Sequence, residues 1–298
     1  MAGNREKKDT VEKEFLGFPD IAADTINALL YQGKEVAQAK MLWPGPTETL
    51  YQGREKLRSQ YEDLCRYELT EGEVRVMYLI ANQSRRDGKM LLRKAGYIGG
   101  IYREQYGRKM KDSFPVIEFV LYWGETAWKG SHDLKTFFRR KKIPEETWGY
   151  VDQIQLHVFE MRHLPEEIRA LFQSDMRIVV DFLAQGADYR SDRKIKHKAA
   201  LLKMLGALSG QRDTDDIEKW MEEQEIREED EITVCELFDQ YVRQGKKEGK
   251  AEGIEYGRAR QLVTDIESLM KSFQVSLERA CEGLGTTVSR YEEARKLI

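Results

Sequence analysis

Residues 73–83, EVRVMYLIANQ, alternate with a period of two and yet are apolar on both sides. Val74, Val76, Tyr78 and Ile80 project one way, and Arg75, Met77, Leu79, Ala81 and Gln83 the other. A strand of that kind has to be covered on both faces, so it belongs in the middle of a sheet. The turn Thr70-Glu71-Gly72 ties it to Tyr61–Leu69, which predicts a hairpin with a three-residue connection. A second buried strand is predicted over Phe114–Trp123, opened by Pro115 and closed by Gly124. Between the two strands, Lys89–Tyr106 reads as a helix that offers Leu91, Ile98, Ile101 and Tyr102 for packing. Gly96, Gly99 and Gly100 weaken it locally.

Upstream, Phe18-Pro19-Asp20 is a helix entry followed by an apolar stripe of Ile21, Ile26, Leu29 and Leu30. Asp20, Asp24 and Asn27 share another face of that helix. The stretch 41–53 reads as a weak strand or loop, and VDQIQLHVF from Val151 as a last strand. Helix, strand, hairpin, helix and strand together predict an α/β domain over residues 10–165, a mixed sheet flanked by helices. All six prolines lie at or before Pro165, so the remainder can be nearly continuous helix. Residues 166–240 form a helical region with an acidic stretch, eleven acids between Asp213 and Glu231. Residues 241–298 carry the row Gly245, Gly249, Gly253 and Gly257, then a predicted helical hairpin with Ile266, Leu269, Phe273, Leu277, Ala280 and Leu284 as its core. Four glycines cost a helix about 4 kcal/mol, so the row is either a flexible connector or a surface for close approach of a second helix. Self-association through these helices is the expected use.

Cys65, Cys235 and Cys281 are too few and too scattered for a disulfide framework or a zinc site, and the four histidines form no ligand pattern. Any metal would have to be held by carboxylates. No run reaches the roughly 18 apolar residues of a membrane span, and MAGNREKKD lacks the core of a secretory signal, so the cytoplasm is expected. The net charge of −3 conceals an asymmetry. Residues 1–150 carry 26 basic and 22 acidic groups, or +4, and residues 151–298 carry 23 and 30, or −7. Arg85, Arg86, Lys89, Arg93 and Lys94 crowd one place and Arg139–Lys142 another, a distribution that suits a polyanion if both flank one site.

Phosphodiester hydrolysis by a carboxylate-held Mg²⁺ needs acidic oxygens that converge from adjacent elements, with a polar group beside the attacking water. Asp63 stands by one hairpin strand, position 81 lies on its neighbour, Gln83 follows on the same face, and Asp24 is a helix acid able to approach. That is the spacing of the PD-(D/E)XK nuclease core, except that position 81 is alanine.

FPDIAADTINALLYQG, YEDLCRYELTEGEVRVMYLIANQSRRDGKMLLRKAGYIGGIYREQY and FPVIEFVLYWGETAWKG, in that order, resemble the Rpn family of recombination-promoting nucleases and transposase-like proteins. This family belongs to the PD-(D/E)XK superfamily. The resemblance runs on through VCELFDQYVRQGKKEGKAEG to SLERACEGLGTT. It implies a Mg²⁺- or Mn²⁺-dependent DNA endonuclease, linked to recombination and phage defence. Asp24, Asp63 and Gln83 match the family's catalytic positions, and Ala81 stands where its acid is expected. Metal would be held by Asp63, the acid at 81 and the backbone carbonyl of Asn82, with Gln83 orienting water. Arg85, Arg86, Lys89, Arg93 and Tyr97 would meet DNA. A methyl group cannot coordinate a divalent cation, so the chain as written is expected to cleave poorly or not at all. Two origins fit a lone alanine in an otherwise intact motif: a deliberate knockout of a toxic nuclease, or a natural loss that leaves a DNA-binding or protein-interaction module.

Overall fold

The computed structural model describes residues 10–45, 48–52, 57–61, 64–107, 113–186, 189–209 and 217–297, with backbone alone for 48–52, 57–61 and 238–255. Asp63 lies outside these described residues. The chain divides into two compact units, Met1–Glu231 and Ile232–Ile298.

In the first unit, β1 (Leu42–Pro44), β4 (Leu64–Thr70), β5 (Glu73–Gln83), β6 (Val116–Tyr122) and β7 (His157–Glu160) form one sheet in the order β1-β4-β5-β6-β7. A separate antiparallel pair joins β2 (Glu48–Gln52) to β3 (Leu57–Tyr61). β1, β4 and β5 run antiparallel, whereas β5, β6 and β7 are parallel. β5 is therefore the central strand that its two apolar faces require. The β4–β5 turn is tighter than expected from the sequence, because Thr70 pairs with Glu73 and only Glu71 and Gly72 bridge them, both at positive φ. Two successive left-handed residues match the strand twist, and glycine at the second removes half of the steric cost.

Helices cover the two faces. α1 (Pro19–Tyr31) lies on the Tyr78 face, where the Tyr31 and Tyr78 hydroxyls meet at 3.0 Å. On that side Glu68 accepts from the Tyr78 hydroxyl at 3.0 Å, and Arg66 donates to the Gly17 carbonyl at 2.6 Å. α2 (Met90–Gly107) crosses the other face between β5 and β6, the helical connection that a parallel pair needs. There Ile101 packs with Cys65, Met77, Leu79 and Phe114, and Met90 and Leu91 pack with Ala81, Val120 and Tyr122. Beyond α3 (Leu134–Phe137) the expected last strand is only the four residues of β7, followed by α4 (Glu166–Arg169), α5 (Met176–Gln185), α6 (Lys198–Ser209) and α7 (Ile217–Glu223).

In the second unit, α8 (Val234–Phe273) is a 40-residue helix started by a capping box between Thr233 and Glu236. The backbone of the glycine row is helical throughout, which answers the connector alternative. At Gly257 an added Cβ would meet no atom within 4 Å among the described residues. α9 (Leu277–Gly283) and α10 (Val288–Leu297) fold beside its end, giving three helices where a hairpin was predicted. Ile266 and Ala280 are core as expected, with Ala259, Val263, Cys281, Tyr291 and Ala294. Phe273 and Leu284 are not: they are 70% and 40% exposed, because the helix ends at Gln274 and the α9–α10 turn swings Leu284 outward.

Candidate active site at the carboxyl end of β5

β5 changes the sense of the sheet, antiparallel to β4 and parallel to β6, and the space beyond the carboxyl ends of strands at such a switch is where open α/β sheets bind ligands. Ala81, Asn82 and Gln83 occupy that end, opposite Val120, Leu121 and Tyr122. The Trp123 amide donates to the Gln83 carbonyl at 2.8 Å and carries the pairing one step further. Alternation sends Ala81 and Gln83 to the α2 face and Asn82 to the α1 face, where its Oδ1 accepts from the Trp123 indole at 3.0 Å.

Ala81 is 0% exposed, enclosed by Met90, Leu91, Val120, Tyr122, Trp128 and Leu156. These described neighbours are all apolar. Gln83, two residues later, is half-buried, and its amide makes no hydrogen bond among the described residues. Gly124 is needed just beyond: a Cβ there would sit 2.2 Å from the Tyr122 hydroxyl oxygen.

The loop that follows β5 exposes Ser84, Arg85, Arg86 and Lys89. Asp87 shapes it, accepting from the Lys89 amide at 2.8 Å and facing Arg93 Nη1 at 3.5 Å. The Arg93 guanidinium lies 5.7 Å above the centre of the Tyr97 ring. Tyr97 itself is buried, so it belongs to the packing under α2 and not to a surface that could touch DNA.

Glu118 is a group that sequence reasoning missed. It lies on β6 opposite Leu79, on the Ala81 face, 1% exposed and with neither carboxyl oxygen hydrogen-bonded. Burial pushes its carboxyl up to about 7, against the pull of Lys94 and Arg93. Lys94, from α2, donates to the Glu118 main-chain carbonyl at 2.9 Å. The signal in the sequence was a lone acid inside the apolar run PVIEFVLYW.

The polar face of α1 is used for construction. Asp24 accepts from the Gln173 and Ser174 amides at 3.0 and 2.8 Å and from the Ser174 hydroxyl at 2.6 Å. Asp20 binds Lys196 and His197 at 2.7 and 3.0 Å, with the His197 ring stacked on Phe18. Asn27 accepts from the Val36 and Ala37 amides. The helix acid expected at the metal is thus committed to the turn before α5.

The described residues do not fit a divalent cation. Position 81 offers a methyl group, the Asn82 side chain faces away, Asp24 is engaged elsewhere, and no group of three His, Cys, Asp or Glu side chains converges among the described residues.

A mixed sheet with an antiparallel hairpin feeding a parallel strand, helices on both faces and a motif at the carboxyl end of the hairpin's second strand is the PD-(D/E)XK nuclease-like core. Residues 6–213 match the family described as "Putative transposase, YhgA-like", and the chain belongs to that family. No curated protein and no solved structure matches it. Family and fold together make this a nuclease-like protein.

Proposed function

We propose that the chain is a DNA-binding member of the recombination-promoting nucleases, in which metal-dependent endonuclease chemistry is switched off at Ala81. In an active form, Mg²⁺ or Mn²⁺ would be held by Asp63, an acid at 81 and the Asn82 carbonyl, and would neutralise charge on the scissile phosphate. Gln83 would orient the attacking water. The observation that carries the reading is the apolar closure around Ala81, two residues before an unpartnered Gln83 at a strand end. Without a carboxylate there, Asp63 alone would supply negative charge, one carboxylate where the site needs two, while the basic groups bind phosphate. The exposed 84–89 loop meets the DNA backbone, and the 232–298 helices provide self-association.

Plasmid cleavage with Mg²⁺ or Mn²⁺ by the chain, by Ala81→Glu and by Ala81→Asp tests this, with circular dichroism to establish that each variant is folded. Cleavage by a revertant alone is the expected result. Folded revertants that bind DNA and do not cut would assign the fold to binding only. Failure of every form to bind DNA would turn the reading to a protein-interaction module. Truncation before Gly245 is expected to lower the assembly mass in light scattering, and an unchanged mass rejects the tail's role.

A further inference from the structure

We infer that Arg139, Arg140, Lys141 and Lys142 form a second phosphate-contact segment for the DNA met by the 84–89 loop, an assignment that rests on the DNA reading above. The two basic segments are some fifty residues apart in sequence, roughly a third of a typical domain, yet they spring from one place. Lys89 is followed at once by Met90, which is sealed in the cluster around Ala81. Leu134 and Phe137 of α3 pack against that same cluster, and Arg139 begins two residues later. Asp133 fixes the direction of α3 by accepting from the Thr136 amide at 2.7 Å, so the basic run leaves the cluster from a capped helix.

The charges on these segments are uncompensated. Arg85, Arg86 and Lys89 on one, and all of 139–142 on the other, are exposed and have no ion pair among the described residues. Most carboxylates near them in sequence are already engaged: Asp87 with Arg93 and the Lys89 amide, Asp133 with Thr136, and Glu145 with Lys135. Glu146 remains as a free exposed acid. Seven cations against two carboxylates that have no cation partner among the described residues, Asp133 and Glu146, on two segments rooted in the motif's own cluster hold condensed counter-ions that a phosphate backbone would release. Arginine forks match phosphate oxygens in pairs, and lysines add point charge along the strand. Seven cations spread over two segments call for several phosphates in a row, which points to DNA rather than to a single phosphate group.

Fluorescence anisotropy with a labelled random-sequence duplex at rising NaCl tests this on the full chain. The variant Arg139→Ala/Arg140→Ala/Lys141→Ala/Lys142→Ala is expected to weaken binding by about tenfold or more and to lower the log–log salt slope by about 2–4, since each lost phosphate contact removes about 0.9. Lys34→Ala/Lys40→Ala, exposed cations outside either segment, should leave both quantities unchanged. All substituted side chains are exposed, so the fold is retained. If the quadruple variant keeps its affinity and slope while Arg85→Ala/Arg86→Ala/Lys89→Ala weakens, this inference fails and the DNA reading stands. If the parent chain shows no salt-sensitive duplex binding, or prefers poly-glutamate, both fail.

Discussion

The Nζ of Lys94 donates to the main-chain carbonyl of Glu118 at 2.9 Å, while both carboxyl oxygens of the same glutamate lie buried without a hydrogen bond. The α2 cation thus steadies the β6 backbone beside an acid that the fold strips of water. A carboxyl raised to about 7 binds its proton more tightly in the folded chain than in the unfolded one. Its contribution is complete below the unfolded value and is lost as pH rises through about 7. Glu118→Gln is therefore expected to flatten stability between pH 5 and 8 and to gain most at pH 8, as read by urea unfolding. An unchanged pH slope would refute the assignment.

Asp24 gives the opposite kind of test. Its carboxylate holds the 173–174 turn through backbone amides and a hydroxyl. Asp24→Ala is expected to cost about 1–3 kcal/mol, the range for leaving such donors unsatisfied. In a cleaving Ala81→Glu background the same change should alter activity only as far as it alters folding. Loss of Mn²⁺ binding with the melting temperature preserved would return Asp24 to the metal.

Gly124 closes the strand-end geometry. Gly124→Ala places a methyl carbon against the Tyr122 ring, which also meets Trp128 edge-on with centroids 5.2 Å apart. Overpacking of this sort costs about 1–3 kcal/mol. Thermal unfolding should show it, and a neutral substitution would mean that Tyr122 has room to turn.

Acid pH acts on the α1 face. Burial pushes the Asp20 carboxyl up, but hydrogen bonds from Lys196 and His197 outweigh it and leave the group below its usual range. A lowered value stabilises above the unfolded pKa and is lost as pH falls through the folded one, below about pH 4. Asp20→Asn should make the chain less sensitive to acid across that range, and an identical acid midpoint would contradict the pairing.

The strands were legible because period-two patterns survive in EVRVMYLIANQ and PVIEFVLYW, and the helix between them had to exist once the strands were parallel. The Gly-containing turn was legible, although its length was not, since Thr70 belongs to the ladder. The face shared by Asp20, Asp24 and Asn27 could be read from helical spacing. Its purpose could not, because Gln173, Ser174, Lys196 and His197 come from far along the chain. Tyr97 had no signal to separate core from surface on a helix interrupted by glycines. Phe273 and Leu284 fit the helical period and still lie outside, since where a helix stops decides which apolar residues find partners.

The mixed sense of the sheet also sets an order of assembly. β4 and β5 are joined by a two-residue turn and can pair within microseconds, on the order of 1–10. β6 can reach β5 only after residues 84–115 have closed a long crossover, and non-local closure is the slower event. The hairpin thus waits with one edge bare. Ala81, Asn82 and Gln83 take their final partners, Val120 to Tyr122, only when that edge is filled. The segment that carries the motif is among the last to acquire its shape.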